Sequence, residues 1–395
     1  MSVSVVFLRS NPIAPDPRVE KEATCLADAG YSVRVIAWDR SAELPALEER
    51  GKVHIERLPI VARYGRGLAN FPALLRWQRG LVHWLSAHRS EYTIIHACDF
   101  DTILPALWLK ARYGKTVVYD IFDFYADHLR ATPAWIKSLI RRVDTWAIGR
   151  ADALILADEA RVRQIGGASP RSVTVIYNSP EDEKQSLEEK SRESVGSAEE
   201  WRLKIAYVGL LQVERGLVEL LQVLARRPEW HLDLAGFGGD EDQIFELARA
   251  LPNVTWHGRV PYDEALALSA QADVLVATYD PTIPNHRYAS PNKIFEAMML
   301  GKPVVVAGGT HMDELVRAGN CGLVVQYGDA DALEAALASL AADPALRHTL
   351  GAAARTLYEH SYSWERMSQR ILDLYDRLPS RVDGQRSTER AERSV

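Results

Sequence analysis

The sequence predicts an α/β protein made of two Rossmann-like domains, each built around a parallel sheet. Two observations support this fold class. The chain has 395 residues, which suits two domains better than one hydrophobic core. Apolar runs typical of buried strands also alternate with amphipathic helical stretches. Each half of the chain contains its own series of these alternating runs. Repeated strand–helix units of this kind predict a parallel sheet in each half.

In the first half, the apolar runs are continuous and rich in β-branched residues, which is typical of strands covered on both faces. The predicted strands are residues 3–8, 32–38, 94–97, 116–119, 153–156 and 173–177. A helical pattern over residues 18–29 ends at Gly30, which is a favourable residue for a helix C-terminus.

The pattern starts again after residue 201. The predicted strands here are residues 203–208, 231–235, 254–257, 274–277, 303–307 and 323–325. The helical stretches between them are residues 217–226, 240–250, 262–271, 293–300 and 331–340. We therefore expect a first domain over residues 1–179 and a second domain over residues 201–362.

Three further segments do not belong to either predicted domain. Residues 180–200 carry eight acidic and three basic side chains, so we expect a linker or loop that buries little surface. Residues 363–378 form an amphipathic helical pattern that could pack back on the first domain. The polar, arginine-rich residues 379–395 are predicted to be a disordered tail.

Composition excludes several classes of protein. The net charge of −6 gives no overall sign of nucleic-acid binding. The three cysteines, Cys25, Cys98 and Cys321, lie far apart and form no C-x-x-C motif, which argues against a disulfide framework and against a zinc site. Scarce cysteine favours a reducing compartment, so we expect a cytoplasmic protein.

The most informative stretch is SPNKIFEAM, residues 290–298. Pro291 can stand near the start of a helix, where the unpaired N–H groups and the helix dipole attract anions. Lys293 adds a positive charge there, and Glu296 follows one turn later on the same side. Because phosphate repels a carboxylate, Glu296 suits a ribose diol better. The alternative is a surface helix with an ion pair between Lys293 and Glu296.

A second stretch, YVGLLQVERG at residues 207–216, joins a predicted strand to a predicted helix. The strand ends at Gly209, and Arg215 would stand at the carboxyl ends of the strands, where open α/β sheets bind ligands. Arginine matches phosphate with two parallel hydrogen bonds, although a solvated loop arginine is the simpler alternative. After the next strand, Gly236 and Gly238 allow a close approach of the backbone to a ligand.

Two features of the first half permit more than one interpretation. Asp99-Phe100-Asp101 could bind a divalent metal, but these acids lie far from the phosphate features, and we expect Asp99 or Asp101 to cap a helix beginning near Thr102. We therefore predict no metal site.

Residues 61–90 hold five arginines and no acidic residue. An apolar helical stripe runs beside Arg76 and Arg79, and Trp77 and Trp84 flank it. The segment could contact an anionic membrane surface or a lipid-diphosphate acceptor. It could equally be an ordinary helix that packs its stripe on the core.

The stretches YVGLLQVERG, LAGFG, HGRVP and SPNKIFEAMMLGKPVV, in this order, resemble the second half of retaining glycosyltransferases of family 4. The first-half pieces PDPRVEKEA, IIHACDFDT and VVYDIFDFYADH and the final SWERM extend the resemblance over most of the chain. It implies the GT-B fold, in which two Rossmann-like domains face each other across a cleft.

The resemblance also implies roles for individual residues. Glu296 would hold the donor ribose, Lys293 and Arg215 would hold the diphosphate, and Asp123 would orient substrate hydroxyls. The other implied donor contacts are Gly209, Gly236, Gly238, Val260, Ser290, Pro291 and Asn292. The implied acceptor-side residues are His96 and Asp99. The basic pattern of residues 61–90 adds Arg76 and Arg79 as acceptor-side candidates. The chain departs from the family pattern at Tyr288 and Phe122, where glutamate and histidine are common.

The function implied is metal-independent, retaining transfer of a hexose from a nucleotide sugar to a carbohydrate or lipid-linked acceptor. Surface polysaccharide or glycolipid synthesis would be the setting, with peripheral contact to the inner face of the membrane. No cofactor and no nucleic acid are expected. Two alternatives remain, a nucleotide-sugar epimerase of the same fold and a non-catalytic nucleotide-sugar binding protein.

Overall fold

The computed structural model describes residues 3–62, 70–129, 132–193 and 201–379. The chain divides into two compact units, one formed by Met1–Ile176 with Ser368–Val395 and the other by Tyr177–Met367. Residues 380–395 of the predicted tail, 194–200 of the predicted linker and 63–69 of the basic segment lie outside the described residues.

The first unit holds an eight-stranded sheet with the strand order β3-β4-β2-β1-β5-β6-β7-β8. All neighbouring strands are parallel except β3 and β4, which form an antiparallel pair. The strands are β1 (Ser4–Arg9), β2 (Ser32–Asp39), β3 (Leu47–Arg50), β4 (Val53–Pro59), β5 (Ile94–Cys98), β6 (Thr116–Ile121), β7 (Ala153–Leu156) and β8 (Val173–Val175). The helices between them are α1 (Pro17–Asp28), α2 (Phe71–Ala87), α3 (Phe100–Tyr113), α4 (Tyr125–His128), α5 (Ala134–Ile148) and α6 (Arg161–Gln164).

The second unit holds a six-stranded parallel sheet with the order β11-β10-β9-β12-β13-β14. Its strands are β9 (Leu203–Leu210), β10 (Trp230–Phe237), β11 (Val254–Gly258), β12 (Val274–Ala277), β13 (Val304–Ala307) and β14 (Gly322–Val325). Its helices are α7 (Lys184–Glu193), α8 (Leu217–Arg226), α9 (Glu241–Ala248), α10 (Tyr262–Gln271), α11 (Pro284–Arg287), α12 (Asn292–Leu300), α13 (His311–Gly319), α14 (Ala330–Ala342) and α15 (Pro344–Leu357). Strands β10 and β11 are added on one side of β9, and strands β12 to β14 are added on the other. The strand order therefore reverses between β9 and β12, which is where doubly wound sheets open a crevice for ligands.

Side chains on the two faces of the first sheet meet different helices. Val6 and Leu8 of β1 belong to the apolar core beneath α2, α3 and α5. Phe7, which points to the opposite face, stacks on His96 of β5, and His96 bonds to Tyr375. Tyr375 lies in the last helix, α16 (Trp364–Asp376), so α16 covers the face opposite the three helices.

The structure differs from the predicted linker. Residues 184–193 form α7, and Leu187 is buried at 3% exposure. Glu, Lys and Gln are good helix formers, and the buried Leu187 docks this short helix. The acidic composition therefore wrongly indicated a loop. The bond from Arg355 Nη1 to Asp182 Oδ1, at 2.9 Å, fixes the chain just before α7.

The strand pair β3 and β4 was also missed by sequence analysis. Charged residues such as Glu48, Arg50 and Glu56 interrupt its apolar pattern, because β3 is the edge strand and β4 is next to it, where water reaches one side. Within the described part of the chain, no helix is both long enough and apolar enough to cross a bilayer.

Candidate functional site

The candidate site of the second unit lies at the carboxyl edge of its sheet, next to the reversal between β9 and β12. After β9, a short helical turn, Val213–Arg215, leads through Gly216 into α8. Gly216 has φ of +70°, and a Cβ there would lie 2.1 Å from Thr278 Oγ1, immediately after β12. Only glycine fits this contact, so the turn that carries Arg215 is packed against the end of β12.

Arg215 is held in place by polar and aromatic contacts. Its Nη1 donates to the hydroxyl of Tyr279 at 2.6 Å, and its Nε donates to Gln212 Oε1 at 3.0 Å. The guanidinium carbon lies 4.6 Å from the centroid of the Tyr279 ring. These contacts restrict the rotamers of a long side chain, so little entropy is left to lose when a ligand binds.

Lys293 occupies the first turn of α12 and is buried at 6% exposure. Its ammonium group lies 3.5 Å from the ring centroid of Tyr207 and 5.7 Å from that of Tyr279, and no described residue accepts a hydrogen bond from it. Burial, reinforced by the nearby Arg215, holds the pKa of Lys293 well below its usual value, although Glu296 opposes the shift. A buried cation of this kind is a site for an anion.

The N-terminus of α12 adds to the positive potential at this point. The helix begins at Asn292, which is exposed, and Pro291 precedes it in an extended conformation. The Ser290 hydroxyl is buried and has no hydrogen-bond partner among the described residues, whereas its carbonyl accepts from Asn178 Nδ2 at 2.9 Å. Unpaired backbone N–H groups at a helix start favour negative charge.

Glu296 lies one turn beyond Lys293 and is buried at 7% exposure. Its Oε1 accepts a hydrogen bond from the Tyr262 hydroxyl at 3.2 Å. Because α12 is buried at every residue from Lys293 to Leu300, the alternative of a plain surface helix is wrong.

The glycine-bearing strand ends lie beside these groups. A Cβ on Gly236 would meet the carbonyl oxygen of Gly209 at 2.0 Å, so β9 and β10 approach closely at their ends. The backbone N–H of Gly238 donates to Glu241 Oε2 at 2.8 Å, at the start of α9. Val260, half-buried, follows β11 in the next loop along the edge.

In the first unit, His96 is not on an open face, contrary to expectation. It is fully buried, with its Nδ1 2.7 Å from the Tyr375 hydroxyl and its Nε2 3.5 Å from Asp120. Arg18 ion-pairs with Asp120 at 2.9 Å and with Glu22 at 3.2 Å, which completes a buried charged network. His96 was misassigned because β5 is covered on both faces.

Asp99 lies at the carboxyl end of β5, where α3 begins, with φ of +64°. Its side chain does not cap α3 as expected. One oxygen accepts from Phe122 N at 3.0 Å and the other from Arg9 Nη1. Burial raises the pKa of Asp99 to about 6, although Arg9 opposes the shift. Asp123 is half exposed and pairs with Arg161 at 2.7 Å.

The potential metal ligands of the described residues do not include the D-x-D pair. One group, His96, Cys98 and Asp120, brings its ligand atoms within 4.8 Å of one another, and all three residues are buried. Since Arg18 already binds Asp120, this group is part of the ion-pair network described above.

The arginine-bearing helix α2 also differs from expectation. Trp77 and Trp84 are in the core, and their ring N–H groups donate to the Asp101 carbonyl at 3.2 Å and to Glu56 at 2.7 Å. They cannot reach an acceptor or a membrane. Arg76 and Arg79 are exposed on the outer side of the helix.

Sequence analysis missed three tyrosines of the site. Tyr207 and Tyr279 flank the two cations, and Tyr262 binds Glu296. Tyr207 and Tyr279 stand near the ends of predicted strands, which was an available signal, but aromatic residues at such positions are more often core residues.

A doubly wound unit with a cationic site at its strand reversal, together with a second parallel α/β unit in the same chain, defines the class of GT-B glycosyltransferases. The chain belongs to glycosyltransferase family 4. The profile of the glycosyl transferases group 1 matches residues 188–357, and that of the glycosyl transferase 4-like domain matches residues 15–179.

Individual relatives agree with this assignment. Glycogen synthase of Mycobacterium tuberculosis is 25% identical over 296 residues, which cover 71% of this chain and 68% of the relative. A Corynebacterium glutamicum protein, the GDP-mannose-dependent monoacylated alpha-(1-6)-phosphatidylinositol monomannoside mannosyltransferase, is 31% identical over 40% of this chain and 42% of its own. Sucrose-phosphate synthase of Thermosynechococcus elongatus shares the fold, with a TM-score of 0.78 at 20% identity over 94% and 98% of the two chains.

Proposed function

We propose that this protein transfers a hexose, with retention of configuration, from a nucleotide sugar to a carbohydrate or lipid-linked acceptor in surface polysaccharide or glycolipid synthesis. Family membership supports a nucleotide-sugar donor. The name of the Corynebacterium glutamicum relative describes a lipid-linked acceptor, which favours that acceptor class over a free sugar. Donor sugar and base are left to experiment.

One observation carries the proposal. Lys293 is a buried amino group without a hydrogen-bond acceptor among the described residues, and it lies with Arg215 against one tyrosine ring at the start of a helix. A sugar diphosphate supplies the two negative charges that this arrangement lacks. Glu296, further along α12, would accept hydrogen bonds from the ribose hydroxyls.

In the proposed reaction, the bond between the anomeric carbon and the diphosphate oxygen breaks, and the acceptor oxygen bonds to that carbon on the same face. The departing phosphate oxygen takes the proton of the acceptor hydroxyl, so no protein base is required. Arg215, Lys293 and the α12 N-terminus stabilise the negative charge that grows on the leaving diphosphate. No metal is assigned to this step.

The first unit is proposed to bind the acceptor, because the donor residues all lie in the second unit. Asp123 is the best candidate for orienting hydroxyl groups, since it is half exposed and its carboxylate is held by Arg161. Asp99 lies at the neighbouring strand end, with its carboxylate bound to Arg9.

The experiment is a panel of UDP-, GDP- and other nucleotide sugars, incubated with and without lipid-linked acceptors, with products separated by mass and by anomeric configuration. We expect acceptor-dependent transfer with retention, and activity that persists in EDTA. Lys293→Met should abolish transfer, whereas Arg249→Ala, which changes an exposed arginine of the same unit, should not.

The other outcomes distinguish the competing functions. Release of free nucleotide with an epimerised sugar would identify an epimerase, and binding without turnover of any donor would identify a binding protein. Loss of activity in EDTA that Mn²⁺ or Mg²⁺ restores would overturn the metal-independent mechanism.

A further inference from the structure

Helices α2, α3 and α5 lie side by side on one face of the first sheet and share one apolar core. Their outer sides, which we call the helical face, carry large apolar residues that remain exposed. On α5, Trp135 is 70% exposed, Leu139 53% and Trp146 49%. The other exposed members of the helical face are Phe71 and Leu75 on α2 and Leu104 and Trp108 on α3.

The exposed residues of α5 form a stripe and are not scattered singly. Trp135, Leu139, Arg142 and Trp146 follow one another at intervals of four, three and four residues, which places them on one side of a helix. The opposite side of α5 buries Asp144, Ala147 and Ile148 against the sheet. The helix is therefore amphipathic in an unusual sense, because both of its tryptophans lie on the exposed side.

The charge of the helical face has one sign. The three helices contain two acidic residues, Asp101 and Asp144, and both are buried. Their basic residues are Arg76, Arg79, Lys110, Arg112, Lys137, Arg141 and Arg142. Lys110 and Arg141 pair with Asp152 and Asp127, which lie outside the three helices, whereas the exposed Arg79 and Arg142 form no ion pair with any residue of the described ranges. A chain of net charge −6 thus presents a cationic surface here.

We propose that the helical face docks on an anionic lipid bilayer. Indole rings favour the boundary between headgroups and acyl chains, and lysine and arginine beside them are attracted by anionic lipid. A second copy of this chain fits poorly, because a two-fold contact through the helical face would set arginines against arginines. The tryptophan contacts come from α3 and α5, since the tryptophans of α2 are in the core.

The test is co-sedimentation of the full chain with vesicles of phosphatidylcholine alone or mixed with phosphatidylglycerol, at low salt and at about 0.5 M salt. We expect binding to the anionic vesicles only, and weaker binding at high salt. Trp135→Ser/Trp146→Ser and Arg79→Glu/Arg142→Glu should each lower the affinity by about tenfold or more.

Matched controls separate docking from general surface effects. Leu47→Ser removes an equally exposed apolar side chain from edge strand β3 of the same unit, and Arg249→Glu reverses an exposed charge of the other unit. Both should bind like wild type. Circular dichroism and thermal unfolding check that the double variants are folded. Trp108→Ser on α3 is a further single variant, which should also bind anionic vesicles more weakly than wild type.

Three results would overturn the proposal. The first is that the wild-type protein does not bind anionic vesicles at low salt. The second is double variants that bind as well as wild type. The third is a wild-type dimer in sedimentation velocity that Trp135→Ser/Trp146→Ser converts to monomers without vesicles present, which would assign the helical face to self-association. Each readout is independent of glycosyltransferase activity.

Discussion

The ammonium group of Lys293 lies 3.5 Å from the centroid of the Tyr207 ring, buried and without a hydrogen-bond acceptor among the described residues. The ring face offers a desolvated cation an attraction of about 2 kcal/mol or somewhat more, which compensates only part of the cost of removing that cation from water. The second unit therefore holds a cationic site whose stabilisation is incomplete until an anion enters it.

Glu296 should contribute to donor binding through the ribose. Glu296→Ala is expected to weaken nucleotide-sugar binding by about 1.5–3 kcal/mol, the cost of losing a hydrogen bond to a charged group. Tyr262→Phe should weaken it less, because it removes only the hydroxyl that orients Glu296. Calorimetric titration measures both, and Glu246→Ala, an exposed acid of the same unit, serves as the control. Wild-type affinity in Glu296→Ala would contradict the ribose assignment.

Arg215 should act on the leaving diphosphate. Arg215→Ala is expected to lower kcat and kcat/KM together, because the interaction strengthens as negative charge grows in the transition state. Tyr279→Phe keeps the ring beneath the guanidinium but removes the oxygen to which Nη1 donates at 2.6 Å, so a smaller fall in kcat is expected. Steady-state kinetics of both variants measure kcat and KM separately. A rise in KM at unchanged kcat would show that Arg215 binds the ground state and the transition state equally.

Asp144 should make the first unit less stable at higher pH. Burial raises its pKa to about 7, against a hydrogen bond from Tyr119 at 2.7 Å that opposes the shift. The folded carboxyl stays protonated where the unfolded one ionises, so the free energy of unfolding falls as pH rises from about 4 to about 7, by on the order of 3 to 4 kcal/mol.

Asp144→Asn tests this dependence. The amide oxygen can still accept from Tyr119, but it cannot ionise, so the variant should lose less stability than wild type between about pH 4.5 and pH 8. The pH profile of thermal unfolding measures the difference. Parallel profiles for the two proteins would show that Asp144 does not titrate in this range.

The sequence predicted the parallel sheets and the residues of the cationic site because both depend on local patterns. Arg215 and Lys293 each follow a strand or begin a helix, and parallel strands end at one edge, so the chain order alone brings them together. The tyrosines around them could not be predicted, because their role depends on which strands are neighbours, and Tyr207 and Tyr279 come from β9 and β12.

The failures have a common physical origin. His96, Trp77 and Trp84 carry polar groups typical of functional sites, yet the structure buries all three. The ring N–H groups of both tryptophans and the Nδ1 atom of His96 are bonded to residues distant in the sequence. The helix of residues 184–193 was hidden by its charge, since helix propensity and one buried leucine outweighed an acidic composition. Tertiary contacts of this kind leave no periodic signal in the sequence.

The central claim is that Lys293 binds the donor diphosphate, and calorimetry of donor binding in buffers of different ionisation enthalpy tests it most directly. The pKa of Lys293 is held low by burial in the free protein, and a diphosphate beside it raises that pKa, so binding must take up protons. The diphosphate of a nucleotide sugar does not titrate near neutral pH, so it contributes no protons there, and titration of the base is common to wild type and variant. At pH values between the lowered pKa of Lys293 and the usual pKa of lysine, we predict net proton uptake by wild type and an affinity that falls as pH rises. We predict neither effect in Lys293→Met, which should also bind more weakly. Donor binding by wild type without proton uptake, or with equal affinity in Lys293→Met, would contradict the account.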